Sequence, residues 1–259
     1  MVFKRLLSKG GIPLDVNTIV RNETARPGEL LTGEVVLRAP DRAVKVNDIH
    51  LTLIYNPPQV RKGGGEGMKG DTIGHPYPKQ HSFALAKGEE RRVPFEHRLR
   101  WETPVSETRG RKLAGTVLGL TTGVEIEGDK AQRDYDPVHI TTLPLHEAVL
   151  DGFGAAGYGC DLTAVHKSPV PDVEQHLYLR QVFLLDGPRP LELTFHTNAV
   201  GSEIFLREAD RRHTSWQDKP PALRFVAAHH EVGRVAFTEE VRRWISGLDA
   251  LGQGHGQGL

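Results

Sequence analysis

Carboxylates crowd one stretch of this chain. Glu125, Glu127, Asp129, Asp134 and Asp136 lie close together, with Lys130 and Arg133 among them. Two chemistries use such a run: several oxygens converging on calcium, or carboxylates interleaved with cations as an ion-pair network. The order Gly128-Asp129-Lys130-Ala131-Gln132-Arg133-Asp134 lacks the EF-hand spacing. The network is therefore the preferred reading. The chain also holds thirteen histidines, side chains suited to metal binding and proton transfer. None belongs to a His-Glu-x-x-His pattern. His229 and His230 are adjacent, so on a strand they point to opposite faces. The reading assigns no metal ligands and no cofactor. Cys160 is the single cysteine, which excludes an intramolecular disulfide and a Cys-based zinc site. Its neighbour Asp161 disfavours the thiolate, so it reads as a structural residue. No Gly-x-Ser-x-Gly elbow occurs, and the glycine-rich run Arg61–Lys69 lacks phosphate-loop spacing. A carboxylate pair for glycoside hydrolysis is defined by spatial separation and stays open at this level. No catalytic residues are assigned, and the chain is expected not to be an enzyme. Trp216 sits in a polar run and is the tryptophan freest to stack on a sugar or other small ligand. Trp244 lies on an apolar helical stripe and reads as core.

The elements that must position these residues are mostly strands. Ile49, Leu51, Leu53 and Tyr55 alternate with His50, Thr52 and Ile54, and Val93, Phe95, His97 and Leu99 alternate with polar residues. Period two predicts half-buried strands. Arg26-Pro27-Gly28-Glu29 predicts a type II turn with Gly28 at the positive φ, linking a strand near Val16 to one near Val35. Residues 143–158 break the pattern as a short helix, with Gly157 as its stop. Period two then returns through Cys160, Phe183, Leu193, Ile204 and Phe225, with a hairpin connection at Asp186-Gly187-Pro188. A closing helix starts at Thr238 as N-cap and carries Val241, Trp244, Ile245 and Leu248 on one side. Residues 56–80 are rich in Gly and Pro and predict a long loop with a short edge strand. Val2, Phe3, Leu6 and Leu7 make a short amphipathic turn. It is read as a cap on the adjacent sandwich, with a weak membrane-surface contact as the lesser alternative.

The expected domains are an N-terminal β-sandwich (residues 1–142), a linking helix (143–158), a C-terminal β-sandwich with its closing helix (159–250) and a disordered tail (251–259). Composition agrees with many turns: 28 glycines and 17 prolines in 259 residues exceed the usual combined share of about 12%. Lys+Arg and Asp+Glu are balanced at 33 each, which leaves no basic face for nucleic acid. No apolar run reaches the roughly 20 residues of a membrane span, and the start has no secretory h-region. A cytoplasmic location is expected.

Four blocks carry a resemblance. They are Asp15-Val16-Asn17-Thr18-Ile19-Val20 with Arg26-Pro27-Gly28-Glu29 and Leu31-Thr32-Gly33-Glu34-Val35; Val93-Pro94-Phe95-Glu96 with Trp101-Glu102-Thr103-Pro104; Gly119 to Gly128 with Arg133-Asp134-Tyr135-Asp136-Pro137-Val138; and Glu147-Ala148-Val149-Leu150-Asp151 with Gly157-Tyr158-Gly159-Cys160-Asp161. In this order they resemble the bacterial sporulation-control proteins of the sporulation stage zero protein M type, which have an arrestin-like fold. The resemblance implies an all-β chain of two tandem arrestin-like β-sandwich domains with a short interdomain helix and a C-terminal helix. It implies a non-enzymatic scaffold that regulates sporulation, the cell cycle or development through contacts with other proteins. It also implies that Glu125, Glu127, Asp129, Arg133, Asp134 and Asp136 form a charged cluster between the domains. A carbohydrate- or ligand-binding double sandwich centred on Trp216 is the alternative. A homodimer would solve the exposed edges that antiparallel sheets leave.

Overall fold

The computed structural model describes residues 13–22, 24–56, 71–73, 82–210, 212–213 and 215–254. The expected N-terminal amphipathic turn, most of the 56–80 loop and the last residues of the tail lie outside these. In chain order the first half holds β1 (Asp15–Val20), β2 (Thr24–Ala25), β3 (Leu30–Arg38), β4 (Val44–Asn56), β5 (Asp71–Ile73) and β6 (Phe83–Leu85). It continues with β7 (Glu90–Arg98), β8 (Glu107–Thr108), β9 (Arg111–Lys112), β10 (Val117–Ile126) and β11 (Gln132–Ile140). The second half holds α1 (Pro144–Ala155), β12 (Gly159–His166), β13 (Arg180–Asp186), β14 (Leu191–Thr197), β15 (Gly201–Glu208), β16 (Leu223–Ala228) and α2 (Phe237–Gly254).

Two sheets make the first half. One runs β1-β3-β7, and the other runs β2-β11-β10-β4-β5 with β6 also paired to β4. Val35, Leu37, Val93 and Phe95 line the inner face of the first sheet, and Ile49, Leu51, Leu53, Leu118, Leu120 and Val124 that of the second. Alternation of type along each strand puts these side chains on one face and sends the intervening ones outward. The predicted turn is present: Gly28 has φ +85° and the Glu29 N–H donates to the Arg26 carbonyl at 3.0 Å. The edge strand expected in the 56–80 loop is β5, paired with Leu53–Tyr55.

The second half is one antiparallel meander in the order β12-β13-β14-β15-β16. Phe183, Leu185, Leu191, Leu193, Ile204 and Leu206 are buried on one face of it. The class is all-β with a linking and a closing helix, as the sequence predicts. A sandwich is expected here, but among the described residues the layer over this apolar face is helical. The two helices contact each other and α2 contacts β15 and β16, with Phe225 stacked on Trp244 at 4.6 Å. Their apolar stripes supply the cover that a second sheet would otherwise give.

Helix bounds shift from the sequence reading. α1 begins with Pro144, whose missing N–H costs nothing at a helix start, and ends where the Tyr158 N–H donates to the Phe153 carbonyl at 2.9 Å across Gly157. α2 starts one residue before Thr238, and the Ala236 carbonyl accepts from the N–H groups of Glu239 and Glu240. The tail was expected disordered from residue 251, yet Leu251–Gly254 continue α2. Extending a formed helix adds one bond per residue fixed, so it outlasts its apolar stripe. No helix of the described residues is long and apolar enough to cross a membrane.

Candidate functional site at the seam between the halves

The segment from Trp101 to Thr116 runs between the halves: the Ser106 N–H donates to the Ile140 carbonyl of β11 at 2.8 Å, and other groups of the segment are met by the second half. The Glu102 carboxylate accepts from the main-chain N–H groups of His176 and Leu177 at 3.0 and 2.8 Å. The Gln181 amide acts as a strand would: its oxygen accepts from the Val105 N–H at 2.8 Å and its nitrogen donates to the Val105 carbonyl at 2.7 Å. Further on, Ala114 bridges Leu162 in parallel fashion, with Ala114 N–H on the Asp161 carbonyl and Thr163 N–H on the Ala114 carbonyl, both at 2.8 Å. Gly115 makes this approach possible. It has φ +89°, and a Cβ there would stand 1.9 Å from the Thr163 carbonyl oxygen. The buried hydroxyls of Thr116 and Thr163 pair at 2.7 Å. Arg109 pairs with Asp151 of α1, and Arg111 with Asp161 at 3.3 Å, both in solvent.

His146 of α1 completes the seam. It is buried, stacks on Phe195 at 4.1 Å, and its Nε2 lies 2.9 Å from the Thr197 hydroxyl. Burial, with a small contribution from His229, pushes its pKa down to about 3, so the ring is neutral. A small cavity of about 30 Å³ lies beside it, lined by Glu102, Gln181, Arg180 and His196 among others. That volume has room for about one water. Most of the seam's groups are hydrogen-bonded, while His146 Nδ1 and His196 Nδ1 are buried with no partner among the described residues. Cys160 nearby is pushed up to about 12 by burial and then by Asp161, so its thiol stays protonated.

The acidic run does not lie in this seam, which corrects the expected interdomain cluster. Asp129 pairs with Arg42, and Glu127 with Lys45 at 3.1 Å, both within the first half. Asp134 accepts from the main-chain N–H of Thr18 at 2.6 Å, closing the outer side of β1 against β11. Asp136 stands beside it, and burial followed by the Asp134 charge pushes its pKa up to about 7. Glu125 and Arg133 are exposed on the same sheet. The reason is topological: β10 lies between β11 and β4 in one sheet, and β1, which Asp134 reaches from β11, is in the other sheet of the same half.

Trp216 is likewise not a free platform. The Arg207 guanidinium lies 3.7 Å from its ring centroid, and Phe205 meets it edge-on at 5.4 Å. The indole covers buried charges instead: Lys219 donates to Glu192 at 2.5 Å, and Glu192 sits opposite Arg207 in the β14–β15 register. Burial, and then the Arg180 charge, lower Arg207 to about 10. Glu102, Gln181, Arg109 and His146 are seam residues that sequence reasoning gave no role. The Trp101-Glu102-Thr103-Pro104 block was the visible signal for Glu102 alone.

The family model described as SpoOM protein matches residues 3–213. The chain belongs to the Spo0M family. A curated relative, the sporulation-control protein spo0M of Bacillus subtilis (strain 168), is 28% identical over 224 residues, 81% of each chain. The crystal structure of Spo0M from Bacillus subtilis shares the fold, with a TM-score of 0.75 and 23% identity over 92% of this chain and 99% of that one. Parts of three of the four blocks that carry the Spo0M resemblance meet at the seam. Trp101 lies over Gly28 of the first block, where a Cβ would meet the indole at 2.6 Å, and its ring centroid is 5.6 Å from that of His229. Arg26 donates to the Thr142 carbonyl at 3.2 Å, and Glu147 and Asp151 receive Arg109.

Proposed function

We propose that the chain is a non-enzymatic scaffold that regulates sporulation, or a related developmental step, in the cytoplasm of a bacterium through protein contacts. Family membership supports the sporulation-control role. The observation that carries the contact role is the outer edge of the second sheet. β16 ends the strand order, so one side of its ladder has no strand partner among the described residues. Val226 on it is 76% exposed, and Val200 at the neighbouring turn is 73% exposed. An edge strand with exposed β-branched residues is a template for an added strand from a partner. The sugar-binding alternative lacks such support, because Arg207 and Phe205 already pack Trp216.

The test uses a strain lacking its own copy of the gene. Val226→Lys should fold normally, since the new ammonium faces Glu203 in the β15–β16 register, yet fail to restore sporulation control. Val117→Lys, at an exposed position of the first half, should restore it. Light scattering on wild type and Val226→Lys separates a foreign partner from a second copy on this edge. Full rescue by Val226→Lys would sink the proposal.

A further inference from the structure

On the outer face of the first half, three metal-ligating side chains from two adjacent strands converge. Asp48 and His50 are two apart on β4, so both point away from the core that Ile49 and Leu51 face. Across the ladder, Glu125 of β10 is the register partner of Asp48, and Gly123 that of His50. One ligand atom from each of Asp48, His50 and Glu125 lies within 4.8 Å of the other two. Ligands held about 2.0–2.2 Å from a common ion are separated by roughly 3–4 Å, so only a small closure is needed. Two local features prepare the convergence. The register shifts between Glu125 and Ile126, a bulge of the kind that re-aims a side chain. Gly123 leaves room for the imidazole, since a Cβ there would stand 2.2 Å from His50 Nε2.

An independent observation points to a missing cation. Asp48 is only 8% exposed, and its Oδ1 is buried without a hydrogen-bond partner among the described residues. A buried carboxylate oxygen left in this way is costly. The neighbouring cations are committed elsewhere, Lys45 to Glu127 and Arg42 to Asp129. We propose that Asp48, His50 and Glu125 form a binding site for a divalent transition-metal ion of the zinc class. The imidazole selects against calcium and magnesium, which take oxygen ligands. Three protein ligands leave the fourth tetrahedral position to water on the solvent side, where Glu125 is exposed.

Zinc titration into the full chain, stripped of metal with a chelator and followed by calorimetry, tests the site. Wild type should bind one equivalent that Asp48→Asn, His50→Ala and Glu125→Gln each weaken at least about tenfold, since losing even an outer partner of a metal site costs 10–100-fold. His230→Ala, at an exposed histidine, should keep wild-type affinity. Cobalt substitution should give a visible four-coordinate band that Asp48→Asn abolishes. Glu125→Gln is at an exposed position and cannot unfold the chain. The melting temperature of metal-free Asp48→Asn should equal or exceed that of wild type, because an unpaired buried charge is gone. Failure of wild type to bind zinc overturns the proposal. So does wild-type affinity in either Asp48→Asn or Glu125→Gln, which would place the zinc on other histidines.

Discussion

Asp134 and Asp136 are two carboxylates beside one another at the meeting of β1 and β11. Asp134 holds the Thr18 N–H and the Tyr135 N–H, at 2.6 and 2.9 Å, so its charge is the better solvated by donors. Asp136 has a buried Oδ2 with no hydrogen-bond partner among the described residues, and burial beside Asp134 favours its protonated form. Its pKa is raised from 3.8 to about 7 by burial first and by Asp134 second. A raised carboxyl binds its proton more tightly in the folded chain, so its contribution to stability is whole below pH 4. That contribution is lost as pH rises through about 7. His146 slopes the other way: lowered from 6.5 to about 3, it contributes fully above pH 6.5 and loses this as pH falls. Between pH 4 and 6.5 the two oppose each other and flatten the profile. Asp136→Asn should remove one of them. Its melting temperature relative to wild type should climb from pH 4 to 7 and level off above. The plateau gain should be about 2–4 °C, the response of a chain this size to about 1 kcal/mol, since partial solvent exposure trims the full linkage value. A constant offset across that range would show that the pair does not hold a proton.

The elements of the seam are joined less by strands than by side chains that imitate them. Gln181 is the strongest case. It is the i+1 residue of a strand that otherwise alternates Val182 and Leu184 against Phe183 and Leu185, and it spends its amide on both main-chain groups of Val105. Gln181→Leu keeps the volume and strands a buried N–H and C=O. Each orphaned group costs about 1–3 kcal/mol, so the urea midpoint should fall markedly, while Gln181→Glu, which keeps the acceptor but loses the donor, should lie between. Equal stability of wild type and Gln181→Leu would remove the residue from the seam. This contrast also marks what the sequence made legible. Period two revealed β4, β7 and the meander, because each has one buried face, and the Pro-Gly and Gly157 signals located a turn and a helix stop. It put His50 on the face away from Ile49 and Leu51 but gave Asp48 no place. What it withheld was which strand lies beside which: Glu125 meets Asp48 only through the β4–β10 register, and the acidic run was assigned across the domains for want of it. Trp216 looked free because its polar neighbours hide that Arg207, a distant residue of β15, reaches its ring.

At the scale of the molecule, the equal totals of 33 acids and 33 bases divide unevenly: residues 1–142 hold 22 bases and 18 acids, and residues 143–259 hold 11 and 15. Arg42 and Lys45 pair with Asp129 and Glu127 of the acidic run inside the first half, and Lys219 meets Glu192 inside the second. Of the charges that cross from the 101–116 segment, Glu102 accepts from main-chain N–H groups and Arg109 also approaches Glu147 at 3.8 Å. The pairs of Arg109 with Asp151 and Arg111 with Asp161 lie in solvent with side chains at least half exposed. Exposed pairs of this kind contribute little and are screened by salt. The buried crossing bonds are different in kind: Gln181 with Val105, Thr116 with Thr163, and Ala114 with the β12 main chain. Neutral bonds in a water-poor seam do not weaken as salt rises. The two halves should therefore melt as one unit, with calorimetric and van't Hoff enthalpies in agreement, both in dilute buffer and in about 1 M salt, where screening reaches about 3 Å. Gln181→Leu combined with Glu102→Ala removes the crossing bonds to Val105, His176 and Leu177, and should split the endotherm in two at either salt concentration. If salt alone splits the wild-type transition, the exposed ion pairs hold the halves together and the hydrogen-bonded seam does not.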